Sequence, residues 1–329
     1  IENEAEFFGT ESVWKILLKI SPPVMLSQLV MSMYNIVDSL FVGKYSDNAL
    51  TALTVVYPLQ LIIVALAVGT GVGVNTYMAR KYAQEREKEA NGTAGAGLIL
   101  ALVSWAIFAA VSALIMRPYV MTSAKSPQAI EDAVIYGNIV CIGSLGAFLE
   151  GIWSKVHQSR GNMRLPMIAQ VAGALTNIAL DPLMIFGIGP FPEMGVAGAA
   201  FATVLGQVVS AVIVGVKGFR RPPAACDFPH YANRIYFYGY SSIIMQALYT
   251  VYIVGLNMIL ATFSDSAVTV LGLYYKMQGF FFIPLIGLET CIVPVLSFNY
   301  TRKEYRRCRD TMNVSFALSA VFMVIGIVC

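Results

Sequence analysis

The chain is divided into nine mostly apolar runs, at roughly 15–42, 50–78, 94–117, 128–154, 163–187, 194–217, 237–263, 267–298 and 311–329. A helix needs about 20 such residues to cross a bilayer, and each run is near that length or longer. Only helices suit them, because a sheet of this pattern leaves backbone groups unpaired in lipid, and the alternation of a membrane barrel is absent. Composition agrees: 57% of the 329 residues are hydrophobic and 12% are charged, whereas a soluble domain carries about 25% charge. The expected fold class is an all-α polytopic membrane protein.

Lysine and arginine set the expected orientation. The even-numbered loops carry Arg80, Lys81, Arg86 and Lys88, then Lys155, Arg160 and Arg164, then Lys217, Arg220, Arg221 and Arg234, then Arg302, Lys303, Arg306, Arg307 and Arg309. The odd-numbered loops carry only Lys44, Arg117 and Lys125. The even loops and the N-terminus are therefore expected in the cytoplasm, with the chain in the plasma membrane. Basic residues fall in short clusters between apolar runs, so no nucleic-acid surface is read. Cys141, Cys226, Cys291, Cys308 and Cys329 are scattered, and His157 and His230 complete no metal-ligand spacing. No catalytic constellation is present, so an enzyme is not expected, nor any cofactor. The opening IENEAEFFGTESVWKILLKI is acidic before it is apolar, unlike a secretory signal.

The chain also repeats. A shift of 218 residues brings Gln28 onto Gln246, Tyr34 onto Tyr252, Ser46-Asp47 onto Ser264-Asp265, Tyr57 onto Tyr275, Gln60 onto Gln278, Gly69 onto Gly287 and Tyr82 onto Tyr300. Segments 7 and 8 thus repeat segments 1 and 2. Six intervening spans keep both copies in the same orientation, related by an axis along the membrane normal. The expected organisation is a six-helix half over 1–217, a polar linker over 218–236, and a second half over 237–329 with about three helices. A complete second half needs three more spans, so the sequence is expected to be C-terminally truncated.

Ionisable groups inside spans cost at least about 2.5 kcal/mol and need a reason. In TNIALDPLMIFG, Asn177 and Asp181 lie one helical turn apart on one face, with Pro182 directly after the acid. Asp38 is expected at a similar depth in the same half. Two acids and an amide there form a pocket for Na⁺ or a place to hold a proton, because like charges repel and burial disfavours both being ionised. Pro182 and the Pro22-Pro23 pair free backbone carbonyls or permit bending. Glu150 is expected to snorkel, or to pair with Lys155 or a loop arginine. Lys276 and Glu289, thirteen residues apart, are separated by about 20 Å and cannot pair with each other. Both are expected to face the gap between halves. The aromatic and methionine-rich GLYYKMQGFFFIP suits a cavity for bulky cations.

The runs KISPPVMLSQLVMSMYNIVDSLFVGK, QSRGNMRLPM, TNIALDPLMIFG, GVAGAAFATVLGQ and IVPVLSFNYTRKEYRRCR resemble the multidrug and toxic compound extrusion (MATE) family over the whole chain. The resemblance implies a MATE-like fold of two six-helix lobes, here six helices plus about three of the second. It implies a monomeric secondary antiporter that exports drug-like, mostly cationic molecules in exchange for H⁺ or Na⁺. It assigns cation coupling, with Na⁺ as a possible bound metal, to Asp38, Asn177 and Asp181, with Tyr136 and Thr203 contributing. Gln28, Tyr34, Gln246, Asn257, Lys276, Gln278 and Glu289 are candidates to line the substrate cavity. Segment 7 carries no carboxylate, unlike one branch of the family, and Thr301-Arg302 replaces the usual Gly-Ala after FNY. The alternative is a lipid-linked-oligosaccharide flippase of the same superfamily, for which basic residues are needed in the cavity.

Overall fold

A computed structural model describes residues 4–124, 126–261 and 265–328, without the side chains of 250, 253, 254, 257, 258, 260, 261, 265–273 and 275–277. A 3-10 turn (Glu4–Glu6) and α1 (Phe7–Thr10) lead into α2 (Val13–Tyr45), α3 (Asp47–Ala83), α4 (Glu87–Ser123), α5 (Pro127–Ile142) and α6 (Leu145–Gln158). These are followed by α7 (Arg164–Ile185), α8 (Val196–Gly218), α9 (Phe228–Ala261), α10 (Asp265–Thr301) and α11 (Tyr305–Val328). Among the described residues there is no strand, and eight stretches are long and apolar enough to cross a bilayer. Helix α9 stands where the seventh run was expected.

Local chemistry sets the helix ends. Ser46 alone separates α2 from α3, and its side chain accepts from the Asn48 N–H at 3.2 Å, satisfying an otherwise orphan donor. Pro127 opens α5, where its missing N–H costs nothing. The stretch 218–236, expected as a polar linker, is irregular only from 219 to 227, since α9 already begins at Phe228.

The run at 128–154 was expected as one helix and is two, broken at Gly143-Ser144. The break leaves carbonyls without helical donors, and they find others. The Ser144 hydroxyl donates to the Cys141 carbonyl at 2.7 Å, and the Trp105 indole N–H donates to the Ile142 carbonyl at 2.9 Å. Irregular backbone at membrane depth is tolerated where neighbouring side chains re-satisfy it in this way.

The repeat is visible in the element boundaries. Helix α10 begins and ends 218 residues after α3, and α11 begins 218 residues after α4. The turns between these pairs each hold a non-glycine residue in the left-handed region, Glu85 (φ 58°) and Lys303 (φ 62°), again 218 apart. Contacts give the orientation. Gly69, Gly73 and Tyr77 of α3 meet Ile243, Ile235 and His230 of α9 in turn, so α3 and α9 run antiparallel. Phe8, Ile20 and Met25 meet Asn299, Cys291 and Gly287, so α2 and α10 are antiparallel too. The pairs α2–α3 and α9–α10 therefore point the same way, as a parallel repeat requires.

These contacts lie toward the end of the bundle that carries the basic loops. There the halves meet backbone to backbone. A Cβ on Gly73 would run into the Ile235 carbonyl, one on Gly69 into Ile243 Cγ1, and one on Gly287 would sit 2.6 Å from Met25 Cγ. Small residues permit this close approach in the absence of a hydrophobic driving force between helices. The Gly69–Ile243 contact and the Met25–Gly287 contact are the same pair with the halves exchanged.

Candidate functional site

The two acids and the amide of the first half do come together. Helix α2 packs on α7, and α7 on α8. The second packing is tight: a Cβ on Gly206 of α8 would lie 2.7 Å from the Gly173 carbonyl of α7, and the Ser210 hydroxyl donates to the Ala169 carbonyl at 2.8 Å. That seam sets Thr203 against Asn177. Asn177, Asp181, Asp38, Tyr136 and Thr203 are all buried. They lie toward the end of the bundle away from the basic loops, Asp181 four residues before the last residue of α7 and Asp38 seven before that of α2.

The Asp38 and Asp181 carboxylates lie within hydrogen-bonding reach of each other. Asp38 Oδ1 and Asp181 Oδ1 are buried and make no hydrogen bond. The Asn177 amide orientation that satisfies both of its ends donates from Nδ2 to Asp181 Oδ2 at 3.2 Å. Its Oδ1 then accepts from the Thr203 N–H at 3.1 Å and from the Thr203 hydroxyl at 3.3 Å. The amide thus fixes one oxygen of Asp181 and leaves the other without a hydrogen bond. The Tyr136 hydroxyl is within reach of Thr203 and receives the Gln60 amide at 3.5 Å, and Asp38 lies in its electrostatic neighbourhood. Tyr34, one turn before Asp38, is near both acids.

Gln60 belongs to this cluster and was not singled out from the sequence as a site residue. The available signal was a lone amide in VVYPLQLIIV. Of the cavity candidates, Gln28, Tyr34, Gln246 and Gln278 are half-buried, and Glu289 is exposed. The side chains of Asn257 and Lys276 lie outside the described residues. Glu150 does not reach Lys155 as an ion pair among the described residues. Its Oε1 instead accepts from the Ser154 hydroxyl at 2.6 Å and the Gln170 amide at 3.1 Å. Lys155 feels the charge of Glu150 in its own half and of Glu289 in the other, without an ion pair to either among the described residues. Its Cγ would stand 2.8 Å from a Cβ on Gly71.

Chemically, the α2–α7 site offers two free carboxylate oxygens, enough for one proton shared between them. For Na⁺ they are two ligands, with further oxygens needed, because the Asn177 oxygen is turned to Thr203. Among the described residues no group of three or more His, Cys, Asp and Glu forms a metal cluster.

A family model described as MatE matches residues 23–183 and 241–329. The chain is 24% identical over 323 residues to a FAD transporter of Shewanella oneidensis, covering 95% of this chain and 71% of that protein. It is 22% identical over 333 residues to the multidrug export protein MepA of Staphylococcus haemolyticus, covering 98% and 72%. A probable multidrug resistance protein NorM of Thermotoga maritima is 27% identical over 207 residues, covering 63% and 45%. Among solved structures, a MOP-superfamily transporter from Pyrococcus furiosus matches with a TM-score of 0.89 at 22% identity over 98% of this chain and 72% of that one. An outward-facing multidrug resistance MATE transporter matches with the same TM-score, identity and coverage. At that identity the structural likeness establishes the fold.

Proposed function

Because the chain belongs to the MatE family, we propose that it is a secondary active antiporter of the plasma membrane that exports drug-like, mostly cationic molecules in exchange for H⁺ or Na⁺. The observation that carries this reading is the buried Asp38–Asp181 pair with its two unpartnered oxygens. Two ionised carboxylates at that separation repel, and burial strengthens the repulsion. A proton between them, or a Na⁺ beside them, removes it. The pair is therefore a place where ion occupancy changes a local energy, which is what coupling needs.

Helix α2 links that change to the rest of the molecule. It carries Asp38 near one end and Met25 and Ile20 near the other, where they meet Gly287 and Cys291 of the second half. Pro22 and Pro23 lie between those two contacts. Relief of the repulsion alters the packing of α2 on α7, and the same rigid element bears on the seam between halves. A differential affinity of about 1–3 kcal/mol is enough for coupling of ordinary size. On the positive-inside rule the basic loops, and the N-terminus with them, are cytoplasmic.

The test is transport into proteoliposomes under separate Na⁺ and pH gradients, with a cationic dye in one arm and a flavin dinucleotide in the other. Asp38→Asn and Asp181→Asn are expected to reduce gradient-driven transport to background while the protein remains folded in the membrane. Undiminished transport in both variants overturns the assignment, and flavin transport without dye transport overturns the cationic substrate class.

A further inference from the structure

Two helical stripes face each other at the basic end. Tyr77, Arg80 and Lys81 share one face of α3, spaced as helical neighbours, with the capping Gln84 directly after them. His230, Arg234 and Tyr238 follow one another at four-residue steps along α9. Between them, with Arg86 and Glu89 from the start of α4 also in its lining, lies a cavity of about 350 Å³. Four cationic side chains line it, Arg80, Lys81, Arg86 and Arg234, against one carboxylate, Glu89. That carboxylate is already used twice, by Lys81 at 2.6 Å and Arg86 at 3.3 Å.

Two cations are left over. Arg80 donates to the Thr301 hydroxyl at 3.2 Å and stacks its guanidinium over Tyr238 at 4.8 Å, but has no acidic partner among the described residues. Arg234 is exposed and has neither a hydrogen bond nor an ion pair among them. Tyr77 and Tyr238 stack at 5.8 Å, and the Tyr77 hydroxyl meets His230 Nε2 at 3.4 Å, so the wall is built of fixed aromatic groups. Guanidinium groups held by stacking present a planar fork suited to phosphate oxygens.

We propose that this cavity binds a phosphate group, with Arg80 and Arg234 as its principal ligands and Tyr77, Tyr238 and His230 as its walls. The cavity opens where α3 ends and α9 begins, at the level expected for headgroups. Basic pockets between transmembrane helices at the cytoplasmic surface take anionic lipid headgroups. A phosphodiester of an anionic lipid and a free phosphate share the recognised chemistry. Either joins α3 of the first half to α9 of the second, and so reinforces the contact between halves at this end. The site is remote from Asp38 and Asp181 and independent of the transport reading.

The experiment is thermal unfolding of the full protein in uncharged detergent, titrated with phosphatidylglycerol, phosphatidylcholine or inorganic phosphate. Phosphatidylglycerol is expected to raise Tm saturably and phosphatidylcholine to leave it unchanged. Arg234→Gln, at an exposed position without a described partner, is expected to raise the half-saturating lipid concentration by about tenfold, as loss of one charge-assisted contact implies. Arg80→Gln should do the same, with a lower starting Tm because its bond to Thr301 is lost. A saturable rise with inorganic phosphate alone, absent in the variants, identifies free phosphate as the ligand. Equal responses to both lipids, variants that respond as the native chain does, or no response to either phosphate source each overturn the proposal.

Discussion

Single side chains at the two ends of the bundle carry different kinds of consequence. At the basic end, Arg302 donates to both carboxylate oxygens of Glu6, at 2.6 and 2.9 Å. That bidentate hydrogen bond holds the Glu6 carboxyl below its ordinary value of 4.5. A carboxyl with a depressed folded value contributes stability that is complete above the unfolded value and is lost as pH falls through the folded one. Glu6→Gln is therefore expected to lower Tm at neutral pH by a small amount, because Glu6 is 44% exposed and such a pair is worth under about 1 kcal/mol. The difference from the native chain should close as the pH falls below the ordinary carboxyl value of 4.5 and through the lowered folded one. At the other end, Asn177→Ala removes the donor to Asp181 Oδ2 and leaves buried groups without partners. A loss of about 1–3 kcal/mol is expected, read by thermal unfolding. Asn177 and Asp181 were legible in the sequence because a helix of known period puts them one turn apart, and Asp38 because a charge in lipid needs a reason. Gln60 was not singled out, since its neighbour Tyr136 comes from a position 76 residues away.

Helices were read well in order and less well in number and extent. The apolar window marks what lies in hydrocarbon, while the helix runs on into polar ends: α3 reaches Ala83 where the apolar run stops near 78, and α9 starts at Phe228 inside the expected linker. The break at Gly143-Ser144 escaped notice because hydropathy is continuous through it. Its donors, Trp105 and Ser144, become meaningful only once α4 packs alongside. The close packing of α3 on α9 gives a sharper expectation. Gly73→Ala sets a methyl against the Ile235 carbonyl, a backbone atom that no rotamer change removes. The helices must part, at a cost of about 1–3 kcal/mol, with lower Tm and a longer distance between spin labels on α3 and α9 at the basic end. Gly43→Ala, whose new methyl would meet only Leu50 Cδ2 at an ordinary 3.5 Å, should leave both readings unchanged.

The molecule has a polarity that chemistry can read from outside. Cys226 is exposed in the connection between α8 and α9, at the basic end, while Cys141 and Cys291 are buried. A membrane-impermeant maleimide should leave Cys226 unreacted in intact cells and modify it after permeabilisation. Labelling in intact cells would place the basic loops outside. The exchanged contacts Gly69–Ile243 and Met25–Gly287 give the seam a symmetry of its own. A patch that meets its own copy, with residue i on j and the copy of j on the copy of i, is the mark of a two-fold homodimer interface. The seam therefore has the form of an interface between two like units, here joined through 219–227 into one chain. Each half meets the other through the same glycine of its own copy, Gly69 in one and Gly287 in the other, so one substitution type made at both positions should loosen the seam from both sides.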